Sequence, residues 1–126
     1  MELKCQWQEL GAFLLTPDQA ESAVLEALKD GYRLIDTANA YVNEKAVGRA
    51  MKKSGLTRED IFLETKIWPS FYMQEDAVEK TLERLDTDYI DLLLIHHGEF
   101  LQCLVKFITA FIINGVLNCR YYFSSV

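Results

Sequence analysis

Between residues 16 and 96 the chain alternates short apolar runs with stretches whose apolar residues recur every three or four positions. The first periodic stretch opens at Thr16-Pro17-Asp18-Gln19. A threonine able to cap, a proline suited to the first turn and a glutamine three residues after the cap predict a helix start with a reciprocal capping box. Ala20, Ala23, Val24, Ala27 and Leu28 then share one face, and Gly31 supplies the stop. Tyr32 to Asp36 is short, apolar and strand-like. A second helix is expected after a cap at Asn43, with Ala46, Val47, Ala50 and Met51 as its apolar face and Gly55 as its end. Ile61 to Lys66 reads as the next strand. Gln74 to Leu85 reads as a third helix, with Val78, Thr81, Leu82 and Leu85 on one stripe, and Tyr89 to His96 as the last clear strand.

Alternating strands and helices imply a parallel sheet covered by helices. The strands are nearly continuous apolar runs, which implies burial on both faces. A doubly wound sheet and a (β/α)8 barrel both satisfy this pattern. Neither GxGxxG nor GxxxxGK[ST] occurs, so the usual phosphate-cradling loops are absent.

The chain's 126 residues suffice for one domain with a modest core. A net charge of −6 disfavours nucleic acid and anionic membranes as partners, because both need a basic patch. The character changes near residue 98: 18 of the 19 acidic residues come before it. Beyond it Phe100, Leu104, Phe107, Ile108 and Phe111 fit one helix face, with Asn114-Gly115 as a stop. Such a helix would cover the edge of a partial sheet. Lys106 interrupts the apolar run, which is shorter than the roughly 20 residues of a membrane span. The division expected is therefore a domain over residues 1–98 and an apolar tail over 99–126. Cys5, Cys103 and Cys119 form neither a disulfide framework nor a zinc motif and read as free thiols of a reducing compartment; no metal is expected. Met1-Glu2-Leu3-Lys4 opens without an apolar signal core, so a cytoplasmic location is expected.

Candidate chemistry lies at the strand ends. Asp36, Lys66 and His96 close three successive apolar strands and are spaced by 30 residues in both steps. In a parallel barrel the C-terminal ends of the strands converge on one mouth, where active sites are built. Tyr41 lies five residues beyond Asp36, in the following loop. A tyrosine, with a pKa of about 10, gives up its proton poorly at neutral pH. An ammonium about 4 Å away favours the phenolate by roughly 4 kcal/mol at an effective dielectric near 20. A carboxylate beside the lysine keeps it charged when partly buried, and a neutral histidine can orient a substrate carbonyl. Such a set suits protonation of a carbonyl oxygen while a hydride, supplied by a cofactor, reaches the carbon. Each residue taken alone also has a purely structural explanation: a turn or cap for Asp36, a solvent-reaching stem for Lys66, loop packing for Tyr41 and a satisfied core imidazole for His96.

At these residues the chain resembles the aldo-keto reductases. The resemblance is carried by Gly31-Tyr32-Arg33-Leu34-Ile35-Asp36-Thr37-Ala38 with Tyr41, by Asn43-Glu44-Lys45-Ala46-Val47-Gly48, by Glu64-Thr65-Lys66-Ile67-Trp68 and by Asp88-Tyr89-Ile90-Asp91-Leu92-Leu93-Leu94-Ile95-His96. It spans about residues 11 to 97. It implies an α/β chain with the first four or so units of a (β/α)8 barrel and NADPH-dependent reduction of aldehydes or ketones to alcohols. It also implies that Tyr41 is the general acid, Lys66 the residue that lowers its pKa, Asp36 the lysine's partner beside the nicotinamide, and His96 the residue that orients the carbonyl. His97 stands where the family commonly has another residue. Trp68 either lines the substrate pocket or packs at the rim. Residues 1–10 lack the family's usual opening, with Gly11-Ala12-Phe13 as the remnant of a first strand, and no later strand of the family is legible after His97. A complete barrel takes about 250 residues, and the segments that hold most of the cofactor in the family have no match here. The alternative to an enzyme is therefore an inactive fragment or interaction module. Open strand edges predict self-association in either case.

Overall fold

The computed structural model describes residues 8–95 and 119–124. Five strands form one parallel sheet: β1 (Glu9–Gly11), β2 (Leu34–Asp36), β3 (Phe62–Ile67), β4 (Ile90–Ile95) and β5 (Cys119–Ser124). They lie in the order β1-β2-β3-β4-β5, and every pairing is parallel. Three helices, α1 (Pro17–Lys29), α2 (Glu44–Lys53) and α3 (Ala77–Leu85), occupy the first three crossovers. This sequential order decides between the two architectures left open by the pattern. A doubly wound sheet reverses its strand order at a switch point; a barrel adds each strand beside the last. The chain is a partial (β/α)8 barrel.

Strand alternation sets the two faces of the sheet. Along β3, Leu63, Thr65 and Ile67 are buried, whereas Phe62, Glu64 and Lys66 are half-buried. Ile35 and Leu63 pack with Val24 and Leu28 of α1 and with Val47, Ala50 and Met51 of α2. Ile67 and Leu93 pack with Ala77 and Val78 of α3. The other face carries Leu34, Asp36, Phe62, Glu64, Lys66, Leu92 and Leu94, all less buried. It corresponds to the interior side of a barrel.

Local signals worked where they were complete. Thr16 Oγ1 accepts from Gln19 N while Gln19 Oε1 accepts from Thr16 N, the full capping box. Gly31 and Gly55 follow α1 and α2 with φ of +99° and +75°, a region in which a side chain is strained. Four expectations need correction. Asn43 precedes α2 but makes no side-chain cap; its amide is drawn to tertiary partners described below. The third helix starts at Ala77, because Glu75 and Asp76 are in a turn and Gln74 has no regular structure. The first strand is Glu9–Gly11, slightly before the expected remnant. The tail contributes a strand: Cys119–Ser124 pairs with β4 over Ile90↔Cys119 to Ile95↔Ser124. A helix over residues 100–111 lies outside the described residues. No helix among the described residues is long and apolar enough to cross a membrane.

Arg58 ties the starts of β3 and β4 together. Its guanidinium donates to Thr87 Oγ1 at 2.9 Å, Ile61 O at 2.6 Å, Tyr89 O at 2.9 Å and Asp91 Oδ2 at 2.8 Å. It also lies 4.0 Å from the centroid of the Tyr89 ring. Asp91, nearly fully buried, accepts from Leu63 N as well. Both charges are thus satisfied at the end of the sheet remote from the candidate site, as buried ions require.

Candidate active site

Asp36 is the last residue of β2 and Lys66 lies one residue before the end of β3. The pairing Asp36↔Glu64 puts Lys66 two residues beyond Asp36's neighbour, on the same face. Lys66 Nζ forms an ion pair with Asp36 Oδ1 and donates to Thr37 O at 3.1 Å. Both side chains of the pair are only 13% exposed, so solvent screens their attraction weakly. Tyr41 ends a single 3-10 turn, Asn39–Tyr41, and the chain leaves that turn through Val42 in the left-handed region. Lys66 Nζ lies 5.5 Å from the centroid of the Tyr41 ring, within cation–π range. The ring of Phe13, from the loop after β1, lies 5.2 Å from that of Tyr41. Three of the four candidates are therefore brought together. His96, with His97, lies outside the described residues. Trp68 follows β3, is 39% exposed, and its backbone N donates to Asn39 Oδ1 at 3.0 Å; this bond couples the lysine strand to the turn that carries Tyr41.

A further charged residue was missed by the reading of strand ends. Glu64 sits beside Asp36 and two residues before Lys66 on the same face. Burial, and then the negative charge of Asp36, push its carboxyl above the ordinary value of 4.5, against the pull of Lys66. A carboxyl raised in the folded state binds protons more tightly there than in the unfolded chain. Its contribution to stability is whole below the unfolded value and is lost as pH rises through the folded one. Glu64→Gln is therefore expected to raise the melting temperature at neutral pH, with the gain gone by about pH 4. Thermal unfolding at the two pH values checks this. A glutamine variant that melts below the wild type at neutral pH contradicts it.

The family model described as "Aldo/keto reductase family" matches residues 7–109, well over half of the chain. The chain belongs to the aldo/keto reductase family. The match extends on both sides of residues 11–97, over which the resemblance was read. Among curated relatives, the glycerol 2-dehydrogenase (NADP(+)) of Saccharomyces cerevisiae is 50% identical over 88 residues, 69% of this chain and 28% of its own. The glyoxal reductase of Bacillus subtilis is 46% identical over 94 residues, 71% of this chain and 34% of its own. Among solved structures, an aldo/keto reductase from Brucella melitensis superimposes with a TM-score of 0.79 at 40% identity, over 92% of this chain and 47% of that one. This family member thus spans about a third of the length of the curated relatives it matches.

Proposed function

We propose that this chain carries the proton-donating side of an aldo/keto reductase site that reduces the carbonyl of a small aldehyde or ketone to an alcohol. The observation that supports it is the half-buried Asp36–Lys66 pair with the Tyr41 ring over its ammonium. In this reading the Tyr41 hydroxyl donates its proton to the carbonyl oxygen as negative charge gathers there. The Lys66 ammonium stabilises the negative charge left on the phenol oxygen, and Asp36 holds that ammonium in place. His96 orients the carbonyl, and Trp68 walls the pocket. NADPH would bring the hydride. Among the residues of the four strands β1 to β4 themselves the one cation is Lys66, which is paired with Asp36, so the cations that hold that cofactor's phosphates would come from outside these strands. The second reading is an interaction module of the same family without catalysis.

Titration of the purified chain with NADPH, followed by fluorescence, separates the two. The reductase reading expects saturable binding and aldehyde-dependent consumption of NADPH. An unchanged signal up to about 1 mM, a concentration at the weak end of typical Michaelis constants, abandons it for the interaction module.

A further inference from the structure

The two threonines adjacent to the ion pair point to the opposite face of the sheet. Thr37 follows Asp36 and Thr65 precedes Lys66, and both are fully buried on the helix side. Each is gripped by one of two consecutive residues that lead into α2. Thr37 Oγ1 donates to Asn43 Oδ1 at 3.0 Å, and Thr65 Oγ1 donates to Glu44 Oε1 at 2.8 Å. The grips are anchored in turn. Asn43 Nδ2 donates to Ala12 O at 2.9 Å and Leu15 O at 3.1 Å, in the loop after β1. Glu44 Oε2 accepts from Arg84 Nε at 2.6 Å, and Arg84 also donates to Thr81 Oγ1 at 2.8 Å, both on α3. The connections close into a ring. Lys66 bonds to the carbonyl of Thr37, Thr37 to Asn43, Asn43 continues into Glu44, Glu44 bonds to Thr65, and Thr65 continues into Lys66.

Such a ring is costly to build. Glu44 is 1% exposed, and burial raises its carboxyl above the ordinary range despite Arg84. A well-packed apolar residue commonly serves stability as well or better than a buried ion pair. What the polar arrangement adds is geometry. Side chains alternate across a strand, so fixing Thr37 and Thr65 from behind fixes Asp36 and Lys66 in front.

We propose that Asn43 and Glu44 are positioning residues that hold the Asp36–Lys66 pair in register through Thr37 and Thr65. Only the kinetic consequence of this rests on the reductase reading; the geometric one does not.

The test compares the full chain with Thr65→Val, which removes the hydroxyl at constant shape, and with Thr65→Ser, which restores it. The first readout is the Lys66 side-chain ammonium signal in a proton–nitrogen NMR spectrum. The wild type and Thr65→Ser are expected to show a resolved, slowly exchanging ammonium, and Thr65→Val to broaden it beyond detection at an unchanged fold by circular dichroism. A wild-type ammonium that exchanges freely, or a Thr65→Val signal as sharp as the wild type, overturns the proposal. If Thr65→Val does not fold, Thr37→Val removes the other arm and carries the same expectation. The second readout is turnover with NADPH and a small aldehyde. Thr65→Val is expected to lower kcat by roughly tenfold to a hundredfold, with KM within about twofold because the lost term is alignment and not substrate binding, and Thr65→Ser to recover most of kcat. A wild type without turnover defeats the reductase reading alone, since the NMR comparison still decides the ring. A Thr65→Val enzyme with wild-type kcat overturns the proposal.

Discussion

Gly48→Ala is expected to be strongly destabilising, although alanine is the better helix former. Gly48 lies in the middle of α2, where the propensity gain from alanine is about 1 kcal/mol. A Cβ built there, however, falls 2.3 Å from the carbonyl oxygen of Leu85 and 2.7 Å from its carbon. These are backbone atoms at the end of α3, and no rotamer change relieves the contact. Either the two helices separate or α3 loses its last turn, where Asp86 already closes the helix in the left-handed region. Overpacking costs about 1–3 kcal/mol, and a contact with backbone that no side chain can relieve falls at about the upper end. The net loss is a large share of the stability of a domain this small and lowers the melting temperature by about 10 °C or more. Gly31→Ala is the control. It sits at a φ of +99° with nothing within 4 Å of the added carbon, so only backbone strain of about 1–2 kcal/mol opposes it. Thermal unfolding followed by circular dichroism ranks the two. A Gly48→Ala chain that melts within about 2 °C of the wild type would show that α2 and α3 approach less closely than described.

Tyr41→Phe is expected to leave the fold intact and remove most of any carbonyl reduction. The substitution deletes one oxygen. The hydroxyl has no hydrogen-bond partner among the described residues, and the ring keeps its neighbours, Phe13 at 5.2 Å and the Lys66 ammonium at 5.5 Å from its centroid. The melting temperature and NADPH affinity should therefore stay close to wild type. Turnover should fall by about 100-fold or more, the usual worth of a positioned proton donor. Measuring kcat alongside cofactor binding separates loss of chemistry from loss of the site. Undiminished kcat in the phenylalanine variant would remove Tyr41 from the mechanism and leave the ion pair without a proton donor beside it.

Much of the fold was legible because it is written locally. Thr16 and Gln19 are three residues apart, and their reciprocal bonds form within one turn. The paired Asp36 and Lys66 were legible for a different reason. Charged residues that end apolar strands stand out by their cost, and parallel strands bring their ends to one side. Asn43 and Glu44 show the limit. Asn43 looked like a helix cap, yet its amide is used by carbonyls about 30 residues earlier in the chain. Glu44 lies three residues before Val47, on the stripe of Ala46, Val47, Ala50 and Met51, so a charge in an apolar row was a visible signal. Thr65 likewise interrupts the buried row of Leu63 and Ile67. Neither signal names a partner, and the partner is what gives it meaning.

The sequence by itself determined the alternation of strands and helices, the helix ends set by Thr16, Gly31 and Gly55, and the three polar strand ends that suggest a site. Periodicity and capping act over one or two turns, so a single chain read in order contains them. Tertiary structure alone decided the sequential strand order that makes this a barrel segment, the entry of Cys119–Ser124 as a fifth strand, the contact that forbids a side chain at Gly48, and the ring that joins Thr37 and Thr65 through Asn43 and Glu44. Each of these depends on distances between residues far apart in the chain. Those distances are set by the register of parallel strands and the packing of helices across them, which no local pattern encodes.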